Sequence, residues 1–138
     1  MVNGKAPLYL TAVGLFLAVA ALMLFQPYSA DWPARAYTDP ARQYIHAALR
    51  EDSVGLLRLS SSVAPVTWGL NAARVHHDSL ELWRRRIQAY TGERRGDTAE
   101  VFVYPAEPAC GGAPIVFHFV GSGRKLRVHQ VSSTCWGR

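Results

Sequence analysis

Five histidines, two cysteines and thirteen arginines are the side chains in these 138 residues whose chemistry first asks for a role. His76 and His77 stand beside Asp78, and imidazoles next to a carboxylate suggest a metal. Adjacent residues do not converge on one ion, however. A helix-borne site needs i, i+4 spacing, and Asp78 reads better as a helix N-cap. No metal and no cofactor are therefore expected. His118 and His129 fall as diagonal neighbours on one face of an expected hairpin, with Arg127 opposite His118, so these three could meet a partner or form a polar, solvated sheet face.

Acid–base catalysis in an apolar pocket needs a carboxylate or histidine base and a group that stabilises developing charge. Glu51, Asp52, Asp78, Glu81, Asp97, Glu100 and Glu107 mostly fall at helix ends or turn edges, and none is flanked as a buried base would be. Gly-x-Ser-x-Gly, phosphate-loop and His-Glu-x-x-His patterns do not occur. The reading is that this is not an enzyme.

The densest charge is Arg84, Arg85, Arg86, Arg94 and Arg95, in a chain of formal charge +5. Such a cluster fits nucleic acid, an acidic protein, lipid headgroups or a solvated helix end. Nucleic acid is set aside because the compartment inferred below rarely holds it. The five arginines, with His118, Arg127 and His129, are the expected partner-binding residues.

The segment PIVFHFVGSGRKLRVHQV alternates apolar and polar residues on two arms around Ser122-Gly123, the mark of a hairpin with a two-residue turn. That turn sets Phe119 opposite Leu126, Phe117 opposite Val128 and, carried outward, Cys110 opposite Cys135. Facing Cα atoms in an antiparallel ladder are ~4.5–5.5 Å apart, within disulfide range. Gly111 and Gly112 allow a bulge that would shift the register, and two separate thiols are the alternative. A Cys110–Cys135 disulfide implies an oxidising, extracytoplasmic setting.

These groups must be positioned by a chain that opens on LYLTAVGLFLAVAALMLF, residues 8–25, free of charge. As a helix rising ~1.5 Å per residue this run approaches the ~30 Å core of a bilayer. The expectation is a cytoplasmic N-terminus at 1–7 and a transmembrane signal-anchor helix at 8–26. An interfacial linker at 27–38 and an extracytoplasmic α+β domain at 39–138, periplasmic or extracellular, would follow. A cleaved signal peptide and a buried helix are the alternatives. Tyr9, Tyr28 and Trp32 suit interfacial belts, and Gly14 with Ala18 forms a small-x-x-x-small pair for helix packing.

Within the domain, Asp39-Pro40 suggests a helix start and a helix over 40–51. A short helix capped by Asp52 or Ser53 follows, carrying Leu56, Leu57 and Leu59. Residues 60–77 are ambiguous, with 66–70 either a short strand or an irregular helix. Asp78 would cap a helix over 79–92, with Leu80, Trp83, Ile87 and Tyr90 on one face and Gly92 at its end. Strands are expected near 97–104, 113–120 and 125–132. Ile115, Phe117, Phe119, Leu126 and Val128 should share the face that packs on the helices.

The opening helix, its continuation ALREDSVGLLRLSS and the closing hairpin PIVFHFVGSGRKLRVHQVSS resemble, in layout over roughly 39–133, the NTF2-like and cystatin-like α+β folds. The resemblance implies a curved antiparallel sheet wrapping a helix. It also implies a wide menu of roles: isomerases, dehydratases, small-ligand carriers and membrane-anchored assembly domains. Fold alone selects none of these. The expected function is an accessory or assembly subunit of an integral-membrane protein complex, anchored in the lipid bilayer and binding protein through its extracytoplasmic domain. The alternative is an anchored carrier of a small apolar ligand.

Overall fold

The computed structural model describes residues 6–107 and 110–136, with side chains described for 11–21, 35–107 and 111–136. Helix α1 covers Ala6–Leu49, and the chain divides into two units, Met1–Pro33 and Ala34–Arg138.

In the first unit Val13, Leu15, Phe16, Leu17 and Val19 are exposed. The expected transmembrane helix at 8–26, and with it the membrane and signal-anchor assignment, is corrected. Among the described residues no helix is long and apolar enough to cross a membrane. Tyr9, Tyr28 and Trp32, expected at the interfaces, lie outside the described side chains.

The second unit begins inside α1. Asp39 was expected to cap a new helix, but its carboxylate pairs with Arg42 at 3.3 Å and the helix runs through Pro40 and the proposed linker. The reason is a buried stripe that starts before the proline: Tyr37, Ala41, Tyr44, Ile45 and Ala48 are all buried. Burying such side chains, at ~1.5–3 kcal/mol for a large one, offsets the ~3 kcal/mol of an interior proline.

Helix α2, Ser53–Leu59, starts as expected, with the Asp52 carboxylate accepting the Gly55 N–H at 2.9 Å. Leu56 is fully buried. The ambiguous stretch becomes helix α3, Val63–Val75, with Pro65 in its first turn. Gly69 lets α3 lie against the Tyr44 ring, since a Cβ there would come within 2.8 Å of the Tyr44 hydroxyl.

Helix α4, His77–Arg85, buries Leu80 and Trp83 but stops well short of the expected end at Gly92. Its N-cap position is His76, with Asp78 in the first turn. Residues Ile87–Arg95 form strand β1. The tertiary context decides this: β2, Thr98–Pro105, pairs with β1 from Ile87↔Pro105 to Arg95↔Thr98 around the two-residue Gly96-Asp97 turn. Gly96 takes φ +63°, a conformation open to glycine. The Trp83 indole N–H donates to the Val103 carbonyl at 3.1 Å and fixes α4 on β2.

Strands β3, Ile115–Val120, and β4, Arg127–Ser133, complete an antiparallel sheet of order β1-β2-β3-β4. Its inner face carries Ala99, Val101, Val103, Ile115, Phe117 and Phe119, all buried against the helices. Phe119 packs on Tyr37 at 5.2 Å, and Phe117 meets Tyr44 edge-on at 5.4 Å.

The last hairpin departs from the expected register. Phe119 faces Val128 and Phe117 faces Val131, because residues 121–126 form a wider connection with a 3-10 turn at Gly123–Lys125 and φ +86° at Gly121. A bulge beside His129 then turns both Val128 and Val131 inward, three residues apart. Leu126 packs only partly against the core. The ladder ends at Ile115↔Ser133, and Cys110–Gly112 is a 3-10 turn, so the two cysteines do not face one another across it.

Candidate functional site

An antiparallel sheet with helices on one face leaves its other face and any uncovered edge free for contacts. The outer face here carries Gln88 and Tyr90 from β1, Glu100, Phe102 and Tyr104 from β2, and Val116 and His118 from β3. The register sets Tyr90 beside Phe102, Gln88 beside Tyr104 and Glu100 beside His118. Tyr90 and Tyr104 meet edge to face at 5.7 Å, and the Tyr90 hydroxyl donates to Gln88 Oε1 at 3.1 Å. Together with Phe102 they line an open groove of about 500 Å³.

A second groove of about 310 Å³ lies on the same face, lined by Glu93, Arg95, Thr98, Glu100 and His118. Between them sits Gly92, in the β1 irregularity between Thr91 and Arg94. A Cβ at Gly92 would come within 2.5 Å of the Phe102 ring and 2.7 Å of Glu100, so glycine lets both side chains lie across β1.

β1 pairs with β2 and is an edge strand. Apart from Ile87 and Ala89 it is exposed along its length. Arginines flank it at both ends, and this changes the expected cluster of five. Because residues 87–95 are extended rather than helical, Arg84–Arg86 and Arg94–Arg95 lie at opposite ends of a strand that spans roughly 25 Å at ~3.3 Å per residue. Arg84 pairs with Glu81 at 2.6 Å and Arg95 with Glu93 at 3.0 Å. Arg94 donates to the Gly96 carbonyl at 3.5 Å, while Arg85 and Arg86 are exposed at the end of α4.

The expected trio on the closing hairpin is not brought together. His118 pairs with Glu100 at 3.3 Å and faces Gln130 on β4. His129 sits at the bulge, its Nδ1 2.9 Å from the Ser61 hydroxyl. Arg127 faces Val120 and donates to the carbonyls of Arg124 and Leu126. The register change in the turn separates them. His77 pairs with its neighbour Asp78 at 3.7 Å, and no group of three metal-type ligands occurs among the described residues.

Cys135 is disulfide-bonded. The proposed partner, Cys110, lies outside the described side chains. Gly14, of the expected packing pair with Ala18, faces open space.

Two features escaped the sequence reading although their signals were present. Gly96-Asp97 between alternating segments is a hairpin turn signature, and it would have revealed β1. Arg42, His46 and Arg50 at i, i+4 and i+8 form a basic stripe on α1. Compared with protein-family models, curated proteins and solved structures, the chain matches none of them.

Proposed function

We propose that the unit beginning at Ala34 is a protein-binding module of a larger assembly, and that it takes an extended, acidic segment of its partner onto the free edge of β1. The observation that carries this reading is an exposed edge strand with arginines at both ends. A strand of unpaired backbone groups is a template for strand addition, in which main-chain hydrogen bonds supply affinity and alternate side-chain positions supply specificity. Cations at both ends favour carboxylates on the incoming segment and accelerate encounter. The groove beside Tyr90, Phe102 and Tyr104 would receive an outward-facing apolar side chain of that segment.

The packing favours a protein partner over an enclosed apolar ligand. Trp83, Tyr44, Phe117, Phe119 and Ile115 are fully buried between helices and sheet, and the grooves described above are open at the surface. The Cys135 disulfide supports work in an oxidising compartment.

The test is selection from a library of extended acidic octapeptides against the full chain, followed by amide exchange. Selected peptides should slow exchange at 87–95 and lose binding when Arg85, Arg86, Arg94 and Arg95 are changed to glutamate. Binders that leave those amides unprotected, or that survive charge reversal, would remove this reading.

A further inference from the structure

The basic stripe on α1 does not stand alone. Arg42, His46 and Arg50 line a groove of about 410 Å³, which α2 completes with Arg58 and Leu59. Asp52 is the carboxylate in its lining, so three guanidiniums against one carboxylate leave the groove at +2. Asp52 is itself engaged, accepting the Gly55 N–H at 2.9 Å.

The neighbouring acids answer one of these three guanidiniums. Asp39 reaches Arg42 at 3.3 Å from a largely exposed position, and Glu51, held at φ +52°, pairs instead with Arg74 at 3.5 Å. Among the described residues neither Arg50 nor Arg58 makes an ion pair. Like charges that converge on one concavity repel unless an anion joins them, and a low-polarity wall such as Ala47 and Leu59 strengthens the attraction for one.

Guanidinium forks match phosphate oxygens, to which they donate two parallel hydrogen bonds. Successive members of the stripe are one helical turn apart, ~6 Å along the axis. The row of cations is thus longer than a single phosphate group and suits an anion with two.

We infer that the groove between α1 and α2 binds a small soluble anion of the diphosphate class. Arg50 and Arg58 grip its phosphates from opposite walls, and Arg42 and His46 extend the row. This site is separate from the β1 edge in sequence and in lining residues.

Calorimetric titration of the full chain with inorganic pyrophosphate tests the site, with inorganic phosphate and sulfate as comparison anions. Saturable binding is expected for pyrophosphate, tighter than for either comparison anion. Arg50→Gln and Arg58→Gln, both at exposed positions, should each weaken it about tenfold or more, the value of one charge-assisted hydrogen-bonding group. Arg124→Gln, at an exposed position outside both sites, should leave it unchanged, and circular dichroism should show every variant folded. Absence of saturable binding, equal affinity for sulfate, or affinity unmoved by both groove variants would each overturn the inference.

Discussion

At one edge of the sheet, β4 is covered: Ser60 bridges Val128, the Ser61 N–H donates to the Val128 carbonyl at 2.8 Å, and the Ser61 hydroxyl meets His129. Just beyond, Cys135 is disulfide-bonded and Trp136 lies against Trp68, His76 and Trp83, stacking on His76 at 5.3 Å. At the other edge, β1 has β2 as its in-sheet neighbour and arginines at its ends. Unpaired edges invite unwanted pairing, and charged side chains are a common protection. Here the same arginines that discourage a neutral or basic strand would select an acidic one. One edge is therefore covered by the chain itself, and the other is the exposed strand on which the proposed strand addition rests.

The strongest challenge to that comparison is Cys135→Ser. Loss of a disulfide from a domain of this size costs about 2–4 kcal/mol, so the melting temperature should fall by many degrees. If it does not move, the β4 side is not the stabilised one.

A smaller effect tests the helix that covers β4. The Tyr44 hydroxyl donates to the Pro65 carbonyl at 2.5 Å in the first turn of α3, and burial pushes its phenol well above the ordinary tyrosine value. Because the folded state holds this proton more tightly than the unfolded state, the stabilisation is fully present below pH ~10. It should fall by about 1.4 kcal/mol for each pH unit above that. Denaturant melts from about pH 9 to about pH 11 should show this decline in the native chain. Tyr44→Phe should flatten it while lowering stability at neutral pH by about 1 kcal/mol.

The finest distinction compares single polar contacts on the two edges. Ser61→Ala should cost about 0.5–1 kcal/mol by removing the His129 contact, whereas Arg95→Gln should change stability by less than about 0.5 kcal/mol, since its pair with Glu93 is exposed. Parity between them in a chemical melt would erase the contrast.

Legibility in the sequence followed the range of the interactions involved. A cap for α2 at Asp52 or Ser53 and the alternation of Val101 and Val103 with Phe102 and Tyr104 depend on near neighbours; the structure keeps the alternation and selects Asp52 as the cap, while of Leu56, Leu57 and Leu59 it fully buries Leu56 alone. The end of α4 was misplaced because Leu80, Trp83 and Ile87 satisfy helical spacing as well as they satisfy a helix followed by a strand. Pairing with β2 across the Gly96-Asp97 turn decided between them. Asp39-Pro40 reads as a helix start but lies inside α1 for a related reason, since the buried stripe beginning at Tyr37 outweighs a local start signal.

The amino-acid sequence by itself determined an α+β domain with a hairpin at its end, a basic surface and a cap for α2 at Asp52 or Ser53. All of these follow from periodicity and backbone chemistry within a few residues. Only the tertiary structure decided that five arginines divide between two ends of a strand, that His118 and His129 take different partners, and that Arg42, His46, Arg50 and Arg58 line one groove. Those outcomes depend on strand register and on how helices pack. Both are set by the turn geometry and by the burial of large side chains such as Tyr44, Trp83 and Phe117, which no local pattern encodes.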